Sequence, residues 1–119
     1  MTNYKTLDVW KLSMELVKDI YNLTKKYPGD EKYSLVNQTK RAVLSIPCNI
    51  AEGMGRNHTK DTIQFLHISR GSGYEVETLL NIAYDTSIID EETYIEISNK
   101  IERNIKMING LINYLEQKP

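Results

Sequence analysis

The sequence predicts an all-α protein, a four-helix bundle of up-down-up-down topology. Four segments of about twenty residues or more carry apolar side chains every three or four positions, the spacing that gathers them on one face of a helix. Short breaks with turn and capping residues separate the segments, and none of them alternates as a strand would. With 119 residues, we expect one domain over residues 1–119, in which each helix is antiparallel to the next.

Helix one is predicted over residues 7–27, just before the turn residues Pro28 and Gly29. Its apolar and small side chains recur at three- and four-residue steps, and we expect this stripe to face the core. The stripe consists of Trp10, Met14, Val17, Tyr21 and Thr24.

Helix two is predicted over residues 31–52, followed by Gly53, a residue type that favours the left-handed position after a helix. Pro47 lacks an amide hydrogen, so we expect it to bend the helix and to free the carbonyl of Val43. The predicted core stripe is Leu35, Thr39, Ala42, Val43, Ile46 and Ile50.

Helix three is predicted over residues 59–85, with Thr59 and Asp61 at its amino end. Gly71 and Gly73 lie in mid-helix, where each costs about 1 kcal/mol relative to Ala, so we expect a second backbone to pass close by. The facing residues would be Ala42, Ser45 and Ala51. The predicted core stripe is Phe65, Ile68, Ser72, Val76, Leu79 and Ala83.

Helix four is predicted over residues 90–117 and has the most regular pattern. The acidic run that begins at Asp90 suits the positive end of a helix dipole. Its single apolar stripe is Tyr94, Ile97, Ile101, Ile105, Ile108, Ile112 and Leu115.

Helices two and three also carry apolar residues opposite their core stripes. One interpretation is a wide core with scattered surface hydrophobic residues, and the other is a subunit interface. Charge favours the interface, because residues 31–60 carry five basic and two acidic residues whereas residues 61–89 carry one basic and four acidic residues. A head-to-tail contact of this kind closes into a ring. Neighbouring helices within one bundle could use the same attraction. The candidate interface residues are Leu44, Cys48, Ala51, Ile63, Leu66, Arg70 and Tyr74.

A group of polar residues lies on or beside helix segments that the pattern indicates are buried. Because buried charges are costly unless paired, we interpret the group as a structural network, with Arg41 paired to Glu75 or Glu52 and Asn49 bonded to backbone freed by Pro47. The alternative is a polar pocket that binds a ligand. The group is Arg41, Ser45, Asn49, Glu52, Glu75 and Glu77.

Basic residues are balanced overall, since 15 Lys and Arg face 16 Asp and Glu, so any nucleic-acid contact must be local. Three lysines recur every seven residues on helix one, and a second cluster lies at the break after helix two. The alternative is a solvated surface, which Glu15 and Asp19 nearby on helix one favour, although a ring would repeat each patch several times. The candidate contacts are Lys11, Lys18, Lys25, Lys26, Arg56, His58 and Lys60.

The chain has few residues in patterns that could form a catalytic site. The two histidines stand outside any metal-binding pattern, Cys48 has no second cysteine, and the Gly53-Met-Gly55 run follows a helix rather than a strand. We therefore predict no catalytic, metal or cofactor site and no small-molecule substrate. The sequence has no apolar run long enough for a membrane span, and we expect a cytoplasmic protein.

Four stretches of the chain are distinctive together: LDVW at residues 7–10, Tyr27-Pro28, QTKRAVLSIPCNIAEGMGR at 38–56 and FLHISRGSGYEVE at 65–77. They resemble the bacterial four-helix-bundle proteins encoded in intervening sequences of large-subunit rRNA genes. The resemblance extends from residue 7 to about residue 115, with departures at Cys48, Arg70 and Gly73.

This resemblance implies a left-handed antiparallel bundle that forms a ring-like homo-oligomer, a pentamer, with a role in nucleic-acid binding. The family is similar in fold to the accessory protein of diversity-generating retroelements, a pentamer that binds RNA and a reverse transcriptase. We therefore expect a non-enzymatic oligomer that binds RNA or acts as a scaffold. The alternative is a protein–protein adaptor without nucleic acid.

Overall fold

The fold consists of four α-helices. The computed structural model describes residues 3–117, so the two terminal residues at each end of the predicted 1–119 domain lie outside the described residues. No strand occurs between residues 3 and 117, and the all-α prediction is confirmed. The bundle measures 49 × 24 × 20 Å. Its helices are α1 (Asp8–Thr24), α2 (Asn37–Met54), α3 (Thr59–Asp85) and α4 (Glu91–Glu116).

The connection between α1 and α2 is more structured than the sequence pattern indicates. A 3₁₀ turn at Gly29–Glu31 leads into a π-helical turn at Lys32–Val36, and regular α-helix begins only at Asn37. The predicted start of helix two at residue 31 is therefore corrected to Asn37. A π-helical turn is rare, and such turns occur frequently at functional sites.

The core is built mainly from isoleucine and leucine. Every residue of the stripe predicted for helix two is buried, with Leu35 in the π-helical turn and the rest in α2. In α4 the five isoleucines of the stripe are buried, while Tyr94 and Leu115 pack half-buried at its ends. Both stripes are confirmed. The largest side chains with almost no exposed surface are Leu16, Ile20, Ile46, Ile50, Leu66, Leu80, Ile101 and Ile108.

The predicted inward face of α1 is wrong by about one residue, which corresponds to a rotation of about 100°. Met14 is 43% exposed, and Trp10, Val17 and Tyr21 are only half-buried. The predicted stripe and the residues that are actually buried both have helical spacing. Contact with α4 turns the buried set inward, because buried Asn104 donates from Nδ2 to the carbonyl of Val9 at 3.1 Å. The residues of α1 that fill the core are Val9, Leu12, Ser13, Leu16, Ile20 and Thr24, of which Thr24 belongs to the predicted stripe and is confirmed.

The inward face of α3 is corrected in the same way. Ile68 is 45% exposed, and Phe65 and Ser72 are half-buried, although Val76, Leu79 and Ala83 are buried as predicted. The buried face of the amino-terminal half of α3 has mostly small residues, which let α3 approach its neighbours. It consists of Thr62, Leu66, Ser69 and Gly73.

Gly53 has a different role from the predicted one. It lies inside α2, and among the described residues no glycine has a positive φ. A Cβ at Gly53 would lie 2.9 Å from the Cβ of Phe65 and 3.1 Å from the carbonyl oxygen of Thr62, whose hydroxyl donates to the Gly53 carbonyl at 2.8 Å. Glycine is therefore needed for the close approach of α3 to α2.

The glycines of α3 divide between two environments. Gly73 faces α4, because a Cβ there would lie 3.0 Å from Cγ1 of Ile105, so the predicted approach to Ala42, Ser45 and Ala51 of α2 is wrong for this residue. Ser72, between the two glycines, does reach α2 and donates to the Oγ of Ser45 at 2.8 Å. Gly71 has open space where its side chain would be.

At the turn between α3 and α4, α3 ends without a glycine. Ser87 has φ 64°, and the amides of Ser87 and Ile88 donate to the carbonyls of Tyr84 and Ala83, the pattern of a Schellman cap. Asp90 then caps α4 by accepting from the amide of Thr93 at 2.9 Å. Hydrogen bonding with the side chain of Thr93, and then with its amide, lowers the pKa of the Asp90 carboxyl.

Gly53→Ala is expected to lower the free energy of unfolding by about 1–3 kcal/mol, because the new methyl group overlaps fixed backbone and Cβ atoms of α3. Gly110→Ala is the control, since Gly110 lies in α4 with open space around it and should gain about 0.5–1 kcal/mol from helix propensity. Urea unfolding of both variants measures the difference. Stabilisation by both changes would contradict the close approach.

Candidate functional site

An apolar groove runs between α1 and α2 and has a volume of about 280 Å³. Trp10 and Met14 form the α1 side, and an edge-on contact with Tyr4 at 5.4 Å between ring centroids holds the Trp10 ring. Leu44, Cys48 and Ala51 of the predicted interface lie together on the α2 side, and Cys48 is exposed. The α1–α2 groove is lined by Tyr4, Trp10, Met14, Val17, Leu44, Pro47, Cys48 and Ala51.

Lysines border this groove on α1. Lys11, Lys18 and Lys25 are all exposed, and their seven-residue spacing places them along the outer side of the helix, next to the face that carries Met14. On the α2 side, the Lys40 ammonium lies over the Tyr21 ring at 4.8 Å from its centroid. The groove therefore combines an apolar floor with a basic border.

A second apolar surface lies on the outside of α3. Ile68, Tyr74 and Ile82 are 45%, 49% and 44% exposed, and Gly71 lies among them with open space in place of a side chain. We call these four residues the α3 outer face. Of the predicted interface residues on α3, Tyr74 belongs to this surface.

The other three predicted interface residues of α3 point toward the bundle. Leu66 is fully buried in the core, and Ile63 is half-buried against it, so Leu66 is corrected from an interface residue to a core residue. Arg70 donates from Nη1 to Oδ1 of Asn109 in α4 and from Nη2 to Nδ1 of His67, both at 2.8 Å. It therefore joins α3 to α4.

Part of the predicted polar network is brought together. Asn49 Nδ2 donates to both the carbonyl and the Oγ of Ser45 at 2.8 Å, and the Ser72 hydroxyl donates to the same Oγ. Asn49 thus contacts the Ser45 carbonyl rather than the Val43 carbonyl that Pro47 was expected to free. The helix continues through Pro47 without interruption.

The charged members of that network are not buried within the subunit, which corrects the pairing predicted for them. Arg41, Glu52 and Glu75 are exposed, and Glu77 is half-buried. Glu52 pairs with Arg56 at 3.0 Å instead of with Arg41. The sequence pattern placed these residues near the core because they neighbour buried positions, but their helix angles turn them outward.

A polar pocket of about 540 Å³ lies between the amino-terminal half of α2 and the middle of α3. Arg41 and Glu75 face each other across it, together with Ser45 and Ser72 of the network. The other polar residues of the pocket lining were not predicted, because the sequence shows only that they are polar and precede a buried helix. The α2–α3 pocket is lined by Tyr33, Ser34, Asn37, Gln38, Arg41, Ala42, Ser45, Ser72 and Glu75.

The basic cluster after α2 is partly engaged within the subunit. Besides its ion pair with Glu52, the Arg56 guanidinium lies 4.6 Å from the centroid of the Phe65 ring. His58, just before α3, and Lys60, in its first turn, are exposed. Lys26, which follows α1, is also exposed. Arg56 is therefore less available to a ligand than its sequence position indicates.

Two further ionisable groups have shifted pKa values. Burial raises the pKa of Tyr27 to about 12. The Asp19 carboxylate accepts a hydrogen bond from Lys100 at 2.8 Å, which raises the pKa of Lys100 and links α4 to α1. The ion pair joins two helices of the bundle, whereas the buried Tyr27 hydroxyl has no hydrogen-bond partner among the described residues.

Residues 3–117 contain neither a metal-binding cluster nor a membrane-spanning helix. In that range no three His, Cys, Asp or Glu side chains converge as a metal site would require. No helix there has the length and apolar character to cross a bilayer.

Comparison with known protein families matches most of the chain to one family. Residues 5–110 match the family described as 23S rRNA-intervening sequence protein. The chain belongs to that family.

A solved structure agrees with the assignment. The chain is similar to a crystal structure of a protein of unknown function from the S23 ribosomal protein family of Bacteroides thetaiotaomicron, with 28% identity and a TM-score of 0.82. The match covers 87% of this chain and 97% of that one. No curated protein matches the chain. Neither description names an enzymatic activity.

Arg70→Ala is expected to lower the free energy of unfolding by about 1–2 kcal/mol, because it removes a charge-assisted hydrogen bond between α3 and α4. Arg103→Ala is the matched control, since Arg103 is exposed on α4 and its loss should change stability by less than about 0.5 kcal/mol. Chemical unfolding followed by circular dichroism compares the two. Equal stability of both variants would show that Arg70 does not join the helices.

Proposed function

We propose that the protein is a non-enzymatic structural component that assembles into a ring of identical subunits and binds RNA. The observation that carries this proposal is the presence of two different apolar surfaces on one subunit, the α1–α2 groove and the α3 outer face. Several exposed apolar side chains on one side of a subunit are typical of interaction sites. The family and its structural relative bear no enzyme name, which supports a non-catalytic role.

The positions of the two surfaces favour a ring over a simple dimer. A two-fold dimer uses one surface twice, whereas a head-to-tail contact joins two different surfaces and closes when the rotation per subunit permits. The α1–α2 groove is concave and the α3 outer face is a convex helix, so one can receive the other. Five subunits is the number that the family resemblance implies.

Two features of the α3 outer face support a tight contact there. Gly71 costs about 1 kcal/mol in mid-helix, and no neighbour within its own subunit requires it. A second subunit that packs closely on α3 would supply the reason. Charge is also complementary, because residues 31–60, which include α2, carry five basic and two acidic residues, whereas residues 61–89, which include α3, carry one basic and four acidic residues.

The proposal takes the bundle as antiparallel, up-down-up-down and left-handed. Contacts between helices support the antiparallel order, since Gly53 at the end of α2 meets Thr62 at the start of α3 while the earlier Ser45 meets the later Ser72. Contacts between α1 and α4 follow the same rule. They are the pairs Val9 with Asn104 and Asp19 with Lys100.

Leu44→Lys is expected to convert the ring to monomers, because it puts a charge in the apolar groove beside the lysines of α1. Ile95→Lys is the matched control: Ile95 is 48% exposed on α4 beside Glu91, Glu92 and Glu96, outside both proposed surfaces. Light scattering after size exclusion gives the mass of each variant. The helical content of both should equal that of the wild type.

Two outcomes would contradict the assembly. One is a wild-type protein that remains strictly monomeric at high micromolar concentration, and the other is a Leu44→Lys variant that assembles as well as Ile95→Lys. Either result would leave the protein–protein adaptor as the better explanation of the groove.

RNA is the proposed ligand of the assembled ring. The support is the family description, which names 23S rRNA, together with the exposed lysine ridge of α1. One ridge is weakly basic, but a ring presents it once per subunit on one surface, and repeated weak contacts bind a polyanion strongly. The net charge of −1 is the feature that favours the adaptor instead.

The double variant Lys11→Glu with Lys18→Glu is expected to reduce affinity for single-stranded RNA about tenfold or more at low salt, and to reduce the dependence of affinity on salt. The control is Arg103→Glu with Lys106→Glu, which makes the same charge change at exposed positions of α4. Fluorescence anisotropy of a labelled RNA measures both. Equal loss in the two variants would mean that overall charge, not the α1 ridge, governs binding.

A further inference from the structure

The α2–α3 pocket has the size and chemistry of a ligand site. Its volume of about 540 Å³ falls within the range of small-molecule pockets, and apart from Ala42 and the Tyr33 ring its lining residues are polar. Tyr33 and Ser34 reach the pocket from the π-helical turn that precedes α2, a rare conformation that is often found at functional sites. The pocket lies wholly within one subunit.

Opposite charges face this pocket without satisfying each other. Arg41 of α2 and Glu75 of α3 both line it, yet within residues 3–117 neither forms an ion pair or a hydrogen bond through its side chain. An arginine offers a planar fork of donors, and a carboxylate accepts two parallel hydrogen bonds. The pocket therefore presents donors from one wall and acceptors from the other.

The floor and the rim complete the set of groups. Ser45 and Ser72 are joined at 2.8 Å in the floor, where Asn49 holds Ser45, and Asn37 and Gln38 add side-chain amides to the wall. Tyr33 is 85% exposed, so a ring face is available for stacking. The Lys32 ammonium lies 5.4 Å from the centre of that ring, where it can meet a phosphate.

We propose that the α2–α3 pocket binds a guanine base, with Glu75 on the N1–H and N2 amino donors and Arg41 on the O6 and N7 acceptors. Guanine is the base that presents both a pair of donors and a pair of acceptors on adjacent edges, and Arg is its usual partner at O6 and N7. An unpaired base also needs an aromatic platform, which Tyr33 supplies. The base belongs to a free nucleotide or to an unpaired position in RNA.

Titration calorimetry of the full-length protein with guanosine, inosine and adenosine monophosphates tests the pairing. We expect GMP to bind about tenfold or more tightly than AMP, because adenine N1 is an acceptor and repels the Glu75 carboxylate. IMP lacks the N2 amino group and should bind with intermediate affinity. Equal affinities for the three nucleotides, or no binding of GMP, would overturn the proposal.

Variants separate the proposed contacts from general effects. Glu75→Gln should remove the preference for GMP over IMP and AMP, whereas Glu102→Gln, an exposed carboxylate on α4, should retain it. Tyr33→Ala should weaken GMP about tenfold, while Tyr33→Phe keeps the ring and should bind as the wild type does. Loss of binding in Glu102→Gln or in Tyr33→Phe would count against the assigned roles.

The RNA form of this ligand rests on the RNA binding proposed above, so a second arm compares an oligouridine RNA with the same RNA that carries one central guanosine. Tighter binding of the guanosine RNA, abolished by Glu75→Gln, assigns the site to RNA, whereas GMP binding without any RNA binding assigns it to a free nucleotide. If both RNAs bind equally and GMP does not bind, the guanine site is wrong while RNA binding stands. GMP binding by the monomeric Leu44→Lys variant would show that the pocket needs no assembly.

Discussion

The close contact between α2 and α3 is the constraint on which the rest of the structure depends. Gly53 lets the two helices touch at their connected ends, and the hydroxyl of Ser69 bonds the Ile46 carbonyl at 2.9 Å farther along. Ser72 and Ser45 join them again at the next turn. These contacts are short, so they fix the rotation of α3, and with it which side chains enter the core and which remain outside.

The outward residues acquire their arrangement from that rotation. With Leu66 and Ser69 inward, Ile68 and Tyr74 must lie outside, and Gly71 lies between them without a neighbour. The same rotation brings Ser72 and Glu75 to the α2–α3 pocket, which Tyr33 and Ser34 reach from the π-helical turn. The proposed ring contact and the proposed guanine site thus both depend on this rotation of α3. Each proposal can still fail without the other.

The sequence predicts the number of helices and the inward faces of α2 and α4, because each of these helices has one continuous stripe of large aliphatic residues. It fails on α1, where Val9, Leu12 and Leu16 compete with Trp10 and Met14 at the same helical spacing. Spacing alone gives no preference between adjacent stripes, and the choice depends on contacts made by distant residues such as Asn104. Leu44, Cys48 and Ala51 were predicted to share an outer face, because apolar residues opposite a core stripe are visible in sequence, and they line one groove; their role as an interface stays a prediction. The α2–α3 pocket was only partly found, because the exposure of Arg41 and Glu75 and their position across a pocket arise from tertiary structure.

The central claim is that the α1–α2 groove is covered by a second subunit, and the reactivity of Cys48 tests it most directly. Cys48 is the one cysteine of the chain and lies exposed in that groove, so its reaction with an aromatic disulfide reagent reports on the groove alone. If subunits assemble there, the rate constant of the reaction should fall as the protein concentration rises from nanomolar to high micromolar, because the thiol becomes covered. A rate constant that stays the same over that range, and equals that of the Leu44→Lys variant, would contradict the account.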